Sequence, residues 1–339
     1  MTKINPRDHL TLKKDHIDNA KDRKFPNTWF DYDDSWNFEE FKKQFEFKIH
    51  DMTASEMEFD MIGVNPALSN ALRRVIIAEV PVMAIENVYF NQNTTIMHDE
   101  LLAQRLGLVP LLVNPDRFDE FDGEPTDLNT LVFKLKMACS YAEGMPKPGV
   151  TDPELLYVNY KVQSQHLEWV AEGVQANWME DIKAFSDIPL VEMRPGQSLE
   201  IECHARKGVG KDHAKFSPVC PCSFKTLPVI ELKQPITGKD AIHLQKCFSK
   251  GVIGIKNDEA YVIDARTDTL SREFQRHDKF KNIVVQGKQK DYFIFNIEST
   301  GSIDAPVIVK NGLEVLKNKL ISVQRLLKET DFYQQITNE

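Results

Sequence analysis

Five side chains of the kind that ligate metals fall within one stretch of this 339-residue chain: Cys203, His204, His213, Cys220 and Cys222. Thiolates and imidazoles are the ligands zinc takes, usually as close pairs about two to four residues apart that close a tetrahedral site. Here Cys220-Pro221-Cys222 is the one close pair. Leu199, Ile201 and Cys203 alternate with Glu200, Glu202 and His204, which puts Cys203 on the apolar face of a strand, where a thiol packs as a small hydrophobe. A zinc-binding protein using Cys203, His213, Cys220 and Cys222 is therefore an alternative of second rank, and the expectation is no metal and no cofactor.

Other constellations fail on spacing. Gly208-Val209-Gly210-Lys211 invites a phosphate-loop reading, but Ala205 stands where the first glycine belongs and Asp212 where Ser or Thr is required. No serine sits in a Gly-x-Ser-x-Gly frame; Gly301-Ser302 runs on into Ile303-Asp304. Asp99 and Glu100 are explained by a helix start, where acids meet the positive end of the helix dipole. His213 has no identifiable acid partner, so it is expected in a loop or interface rather than as a base. Nothing in these patterns supports catalysis by this chain alone.

Composition narrows the class further. Forty-two basic against fifty-one acidic residues give a net charge of −9, and 42% of residues are apolar, an ordinary globular balance. The length suggests about two domains. No apolar run approaches the ~20 residues that cross a bilayer, so no membrane association is expected. The polar, mixed-charge start, Met1 to Lys24, has the character of neither a signal nor a transit peptide. Five scattered cysteines point to reduced thiols, hence cytosol or nucleus. An acidic chain is repelled by phosphate backbones, and the short clusters Lys13-Lys14 and Lys21 to Lys24 are interleaved with aspartates, so no direct, specific nucleic-acid contact is expected.

The elements that must position any site follow from periodicity. Residues 1–43 read as an extended or partly disordered arm, with aromatics Trp29, Phe30, Tyr32, Trp36 and Phe38 that dock on the chain's own body or a partner. Phe45, Phe47 and Ile49, then Met57, Phe59 and Met61, alternate with polar residues as two half-buried strands. Asn65 is a plausible N-cap and Pro66 a first helical residue, and the helix ends before Pro81. Its stripe is Leu68, Ala71, Leu72, Val75 and Ile76, with Asn70, Arg73 and Arg74 to the side. A shorter helix spans Asp99 to Leu106, with Gly107 expected as a left-handed cap. From about Leu111 to Gly251 the pattern is β-rich with irregular loops and reads as a separate small domain. Tyr292 to Glu298 has the two-sided apolar character of an internal strand.

The last helix, about Pro306 to Lys328, carries Val309, Leu313, Leu316, Leu320, Val323 and Leu327 at alternating spacings of four and three. That is the heptad of a helix packing along another helix, over a length of roughly 35 Å. Pattern alone leaves open whether the stripe packs on its own sheet or on a partner.

Asn70-Ala71-Leu72-Arg73-Arg74, Glu79-Val80-Pro81, Val88, Asn93-Thr94-Thr95, Asp99-Glu100 and Leu102 to Pro110 closely resemble the signature of α-like subunits of cellular RNA polymerases. Phe293 to Glu298, Thr300-Gly301 and the heptad helix resemble the second half of that family's dimerisation domain. The resemblance covers roughly residues 44–330. Within the family, Val88-Tyr89-Phe90, Gly210 to Pro218 and Lys246 to Gly254 resemble the larger α-like subunit shared by polymerases I and III. The rival is the polymerase II paralogue, whose inserted domain carries a cysteine-rich zinc loop. The corresponding region here, Cys139 to Pro153, has one cysteine.

The resemblance implies an α+β fold with a discontinuous α-type dimerisation domain, residues 44–90 and 252–330, interrupted by an inserted β-rich domain, 91–251, with an arm at 1–43 and a tail at 331–339. It implies that the two helices pair with a small α-like subunit, making Leu68, Ala71, Leu72, Val75, Ile76, Val309, Leu313, Leu316, Leu320, Val323 and Leu327 a dimer interface. It implies a scaffold that nucleates assembly of the second-largest and largest subunits of polymerases I and III. Arg73, Arg74, His213, Lys215 and Phe216 are the expected contacts within that assembly, with the second-largest subunit or small zinc-binding subunits. The expected location is the nucleus, nucleolus included, after assembly in the cytoplasm.

Overall fold

The fold is known from a computed structural model, which describes residues 5–21, 35–142, 152–178 and 182–329. In chain order, the elements that matter are strands β1 (His9–Leu12) and β2 (Ile17–Asp18), helix α1 (Phe38–Gln44), β3 (Glu46–Met52), β4 (Glu56–Ile62), α2 (Pro66–Ala78), β5 (Val82–Asn93) and α3 (Asp99–Gly107). They continue as β6 (Thr130–Ala138), β7 (Glu168–Val170), β8 (Ser198–Gly208), β9 (Val219–Leu232), α4 (Gly238–Lys246), β10 (Ile253–Lys256), β11 (Glu259–Val262), β12 (Val284–Ser299) and α5 (Ala305–Glu329). The mixture is α+β, as expected. The chain forms two compact units. One comprises Met1–Asp51, Glu58–Ala71 and Ser223–Asn296, the other Met52–Met57, Leu72–Cys222 and Ile297–Glu339.

In the first unit a sheet runs in the order β2-β1-β12-β4-β3, and β9 also pairs with β12. Rings link neighbouring strands: Phe47 stacks on Phe59 with centroids 4.7 Å apart, Phe59 on Phe295 at 4.9 Å, and Phe224 tilts onto Phe295 at 5.2 Å. Such cross-strand aromatic pairs are a main source of sheet stability. The expected half-burial of β3 is not met. Every residue of β3 is exposed, Ile49 to 52%, because β3 is the edge strand of the sheet.

Part of the arm is extended strand. His9, Leu10 and Thr11 pair antiparallel with Gln289, Lys288 and Gly287, and Leu12 is buried with its carbonyl accepting from the Gln275 side chain at 2.8 Å. An alternating segment that finds an open sheet edge is ordered by backbone hydrogen bonds that its composition does not reveal. Asn37 then caps α1 by accepting from the Glu39 and Glu40 amides. Trp36 and Phe38 lie at this start and are exposed, while Trp29, Phe30 and Tyr32 lie outside the described residues.

The second unit is built on an antiparallel sheet, β7-β6-β8-β5, with Cys203 opposite Phe133 on one side and Val88 on the other. Leu102 and Leu106 of α3 are fully buried in its core. Arg105, on the same helix, donates to the Leu190 carbonyl at 2.8 Å. Gly107 is not the left-handed cap expected: it lies within α3, and the cap is Leu108 with ordinary right-handed angles. The glycine sits in a close approach, since a Cβ there would lie 3.3 Å from the Ile85 carbonyl oxygen. Among the described residues no helix is long and apolar enough to cross a membrane.

Candidate functional site

Helix α2 begins as its sequence suggests, with the Asn65 side chain accepting from the Ala67 amide at 2.8 Å and Pro66 at the first position. Its stripe divides. Leu72, Val75 and Ile76 are 1%, 4% and 0% exposed within this chain, so they are core; Leu68 is exposed and Ala71 is half-buried. The expectation that the whole α2 stripe faces a partner is corrected on this point, because side chains already covered present almost no area to another chain.

Part of the cover comes from α5, which approaches so closely that a Cβ on Gly312 would lie 2.7 Å from Ile76 Cγ1 and 3.7 Å from Leu72 Cδ1. The heptad reading missed Gly312. The signal was present as a lone glycine inside a helical pattern, which marks a close approach. Lys319 Nζ then pairs with both carboxylate oxygens of Glu79, at 2.7 and 2.8 Å. Along the heptad, Val309 is buried and Leu316 half-buried, whereas Leu313, Leu320, Val323 and Leu327 are 45%, 62%, 53% and 49% exposed. From Lys317 to Glu329 every residue is exposed, and Ile321 and Leu326 widen the apolar surface. Burying a Leu or Val side chain contributes about 1.5–3 kcal/mol, and this half-helix leaves several such side chains uncovered within the chain.

The assembly residues separate in the same way. Arg74 and His213 are exposed; His213 Nδ1 accepts from the Lys215 amide at 3.2 Å, and Arg73 is half-buried. Lys215 and Phe216 turn inward, contrary to expectation. Lys215 Nζ donates to the Ile85 carbonyl at 2.8 Å and pairs with Glu86, which Arg206 also binds at 2.6 Å. Burial opposes the charge on Glu86, but hydrogen bonds and charge from Lys215, then Arg206, outweigh it and lower its pKa. Phe216 packs on Val82 and Ala84. The glycines that imitated a phosphate loop serve close packing: a Cβ on Gly208 would meet the Phe216 ring at 2.8 Å, and one on Gly210 would meet the Ile77 carbonyl oxygen at 2.2 Å.

The zinc alternative does not assemble. Cys203 is wholly buried on β8 and Cys220 is exposed. Burial pushes the Cys203 and Cys222 thiols up to about 12, against a small opposing influence of Arg73 on Cys222. Among the described residues, Cys203, His213, Cys220 and Cys222 are not brought together; the one gathered set of three is His243, Cys247 and His277. Sequence reading also missed a buried polar knot in the first unit. The Asp60 carboxylate, 0% exposed, accepts from Tyr292 Oη at 2.6 Å and from Arg266 Nη1, and contacts His50 Nε2 at 2.6 Å. Burial would raise its pKa, yet the hydrogen bonds of Tyr292, Arg266 and His50 leave it lowered; Tyr292 is itself pushed up to about 12, by burial and then by Asp60.

Residues 58–320 match the model of the RNA polymerase Rpb3/Rpb11 dimerisation domain, and the chain belongs to that family of polymerase subunits. Its relatives are correspondingly specific. The mouse (Mus musculus) protein called DNA-directed RNA polymerases I and III subunit RPAC1 is 39% identical over 96% of each chain. The Saccharomyces cerevisiae protein of the same name is 42% identical over 91% of this chain and 95% of its own. The Dictyostelium discoideum RNA polymerase II subunit rpb3 is more distant, at 30% identity over 85% of this chain and 96% of its own.

Proposed function

We propose that this chain is a non-catalytic scaffold subunit common to RNA polymerases I and III, working in the nucleus within those complexes to support synthesis of ribosomal RNA precursor, 5S RNA and transfer RNA. The 39–42% identity to subunits named for both enzymes supports this over a polymerase II role, where identity falls to 30%. The observation that carries the mechanism is the uncovered half of α5. Its first half is held by Ile76 of the chain itself through Gly312, and the rest, tied to the chain by the Lys319–Glu79 pair, offers Leu320, Val323 and Leu327 to a second helix.

The partner in this reading is a small α-like subunit bearing a matching stripe, with Leu68, Leu313, Leu316, Leu320, Val323 and Leu327 as this chain's share of the interface. Burial of these side chains makes the heterodimer obligate, and it then receives the second-largest and the largest polymerase subunits, with Arg73, Arg74 and His213 among the contacts. Residues 44–90 and 252–330 act as the dimerisation domain and 91–251 as the insertion. Assembly occurs in the cytoplasm, followed by entry into nucleus and nucleolus.

The test is affinity purification of the tagged chain from its native cell, with co-eluting proteins quantified by mass spectrometry, beside the variant Leu320→Asp, Val323→Asp. Two pairs of very large subunits and one common small chain are expected with wild type. The variant should lose the small chain by about tenfold or more, since an unpaired buried charge costs several kcal/mol. Equal recovery with the variant would refute the interface, and recovery with a single polymerase would refute the shared role.

A further inference from the structure

We infer that His243, Cys247 and His277 form a binding site for a borderline-soft divalent ion of the zinc class. It belongs to the first unit and goes beyond the scaffold role, on which it does not depend. The three ligand atoms lie within 4.8 Å of one another. His243 and Cys247 are four residues apart at the end of α4, hence on one face, and the Cys247 thiol is turned back along the helix to donate to the His243 carbonyl at 3.3 Å. His277 caps the short turn Glu273–Arg276 and meets His243 edge-on with ring centroids 4.4 Å apart.

Both segments are held by the core. Ala241 and Leu244 anchor α4 at 0% exposure, and Phe274 and Phe280, at 1%, flank His277 in sequence. Phe280 also packs beside both imidazoles, at 5.5 and 6.1 Å. Among the described residues no hydrogen bond engages a ring nitrogen of either histidine, although both rings are half-buried and Cys247 is 5% exposed. Imidazoles packed against each other and a thiol, with their nitrogens unspent, are what a metal site without its metal offers.

Zinc at about 2.3 Å from sulfur and 2.0–2.1 Å from nitrogen, in a tetrahedron, sets the ligand atoms roughly 3.3–3.6 Å apart. Atoms that already lie within 4.8 Å of one another need to close by no more than about 1.5 Å to reach that geometry. Three protein ligands leave a fourth position for water or for Asp240, which lies one turn before His243 on the same face and now pairs with Lys279. A bound ion would tie α4 to the turn carrying His277.

The test titrates the full-length chain, thiols reduced and metal removed, with Co2+, whose thiolate charge-transfer and tetrahedral d–d absorption report sulfur ligation directly. Binding of one Co2+ per chain, displaced by Zn2+, is expected. Cys247→Ser should abolish the charge-transfer band, and His277→Asn should weaken binding by about 100-fold or more while retaining the band at saturation. Cys220→Ser and Cys222→Ser should change neither. An undiminished band in Cys247→Ser, unaltered affinity in His277→Asn, or no cobalt absorption in folded wild-type chain would each overturn the site. Should Cys247→Ser fail to fold, His277→Asn decides. The readout involves no polymerase subunit, so its failure leaves the scaffold reading untouched.

Discussion

Gly312 of α5 faces Ile76 of α2 so closely that the smallest side chain would meet Ile76 Cγ1 at 2.7 Å, and Leu72 Cδ1 at 3.7 Å. The two helices are therefore in contact through backbone on one side and a branched side chain on the other. Gly312→Val must push Ile76 aside within a packed core, and overpacking of this kind costs about 1–3 kcal/mol. Denaturant unfolding of the variant should show that loss, together with weaker recovery of the small partner as α5 shifts. A stability equal to wild type would mean that the helices part freely.

The Asp60 knot makes part of the stability acid-sensitive. Its pKa is lowered in the folded chain, so ionisation stabilises the fold above the ordinary carboxylate range, near 4, and that contribution is lost as pH falls through the lowered folded value. Asp60→Asn should lower stability at pH 7 by about 2–3 kcal/mol, because Arg266 loses a charged partner in a mostly buried place. The variant's stability should also fall less steeply with acid. Denaturant midpoints from pH 7 to pH 3 decide this, and parallel curves for the two proteins would refute it.

Phe216 and His213, three residues apart, should fail in different assays. Phe216→Ala empties a buried site against Val82 and Ala84 and should cost about 3–5 kcal/mol in thermal or denaturant unfolding. His213→Ala, at an exposed position, should change stability by no more than about 0.5 kcal/mol, and its effect should be confined to recovery of large polymerase subunits. The reverse pattern would return Phe216 to the surface.

Gly210 tests why the glycine pair is there. Gly210→Ala would place a methyl 2.2 Å from the Ile77 carbonyl oxygen and so detach the loop from α2, breaking the 2.9 Å bond from the Lys211 amide to the Ala78 carbonyl. Hydrogen exchange at Lys211 should accelerate. Unchanged protection at Lys211 would refute the contact.

Much of the frame was legible because its signals are local. Asn65 and Pro66 mark the start of α2 through capping chemistry, and the alternation of Leu199, Ile201 and Cys203 marks β8, whatever lies around them. The features that were not legible depend on distant neighbours. Lys215 looks like a surface cation until Glu86 and the Ile85 carbonyl are beside it, and Phe47 and Ile49 alternate like any half-buried strand although β3 is an edge. The α2 stripe had the right period for a partner helix, and only the Gly312 contact reveals that the partner is partly α5 itself. His243 and Cys247 have helical spacing, but their third companion comes thirty residues after Cys247, from a turn with no periodic signal.

The pairing of β1 and β4 with β12 has a consequence for how the chain comes into being. His9 must wait for Gln289, and Glu56–Ile62 for the same late strand, so residues made up to about 280 positions earlier are among the last to be placed. At a synthesis rate of roughly 5–20 residues per second, that interval is about 15–60 s on the ribosome. Throughout it the edge of β4 that will pair with β12 stays open, although β3 already covers its other edge, which makes the nascent chain a natural client for holding chaperones until Val284–Ser299 emerges.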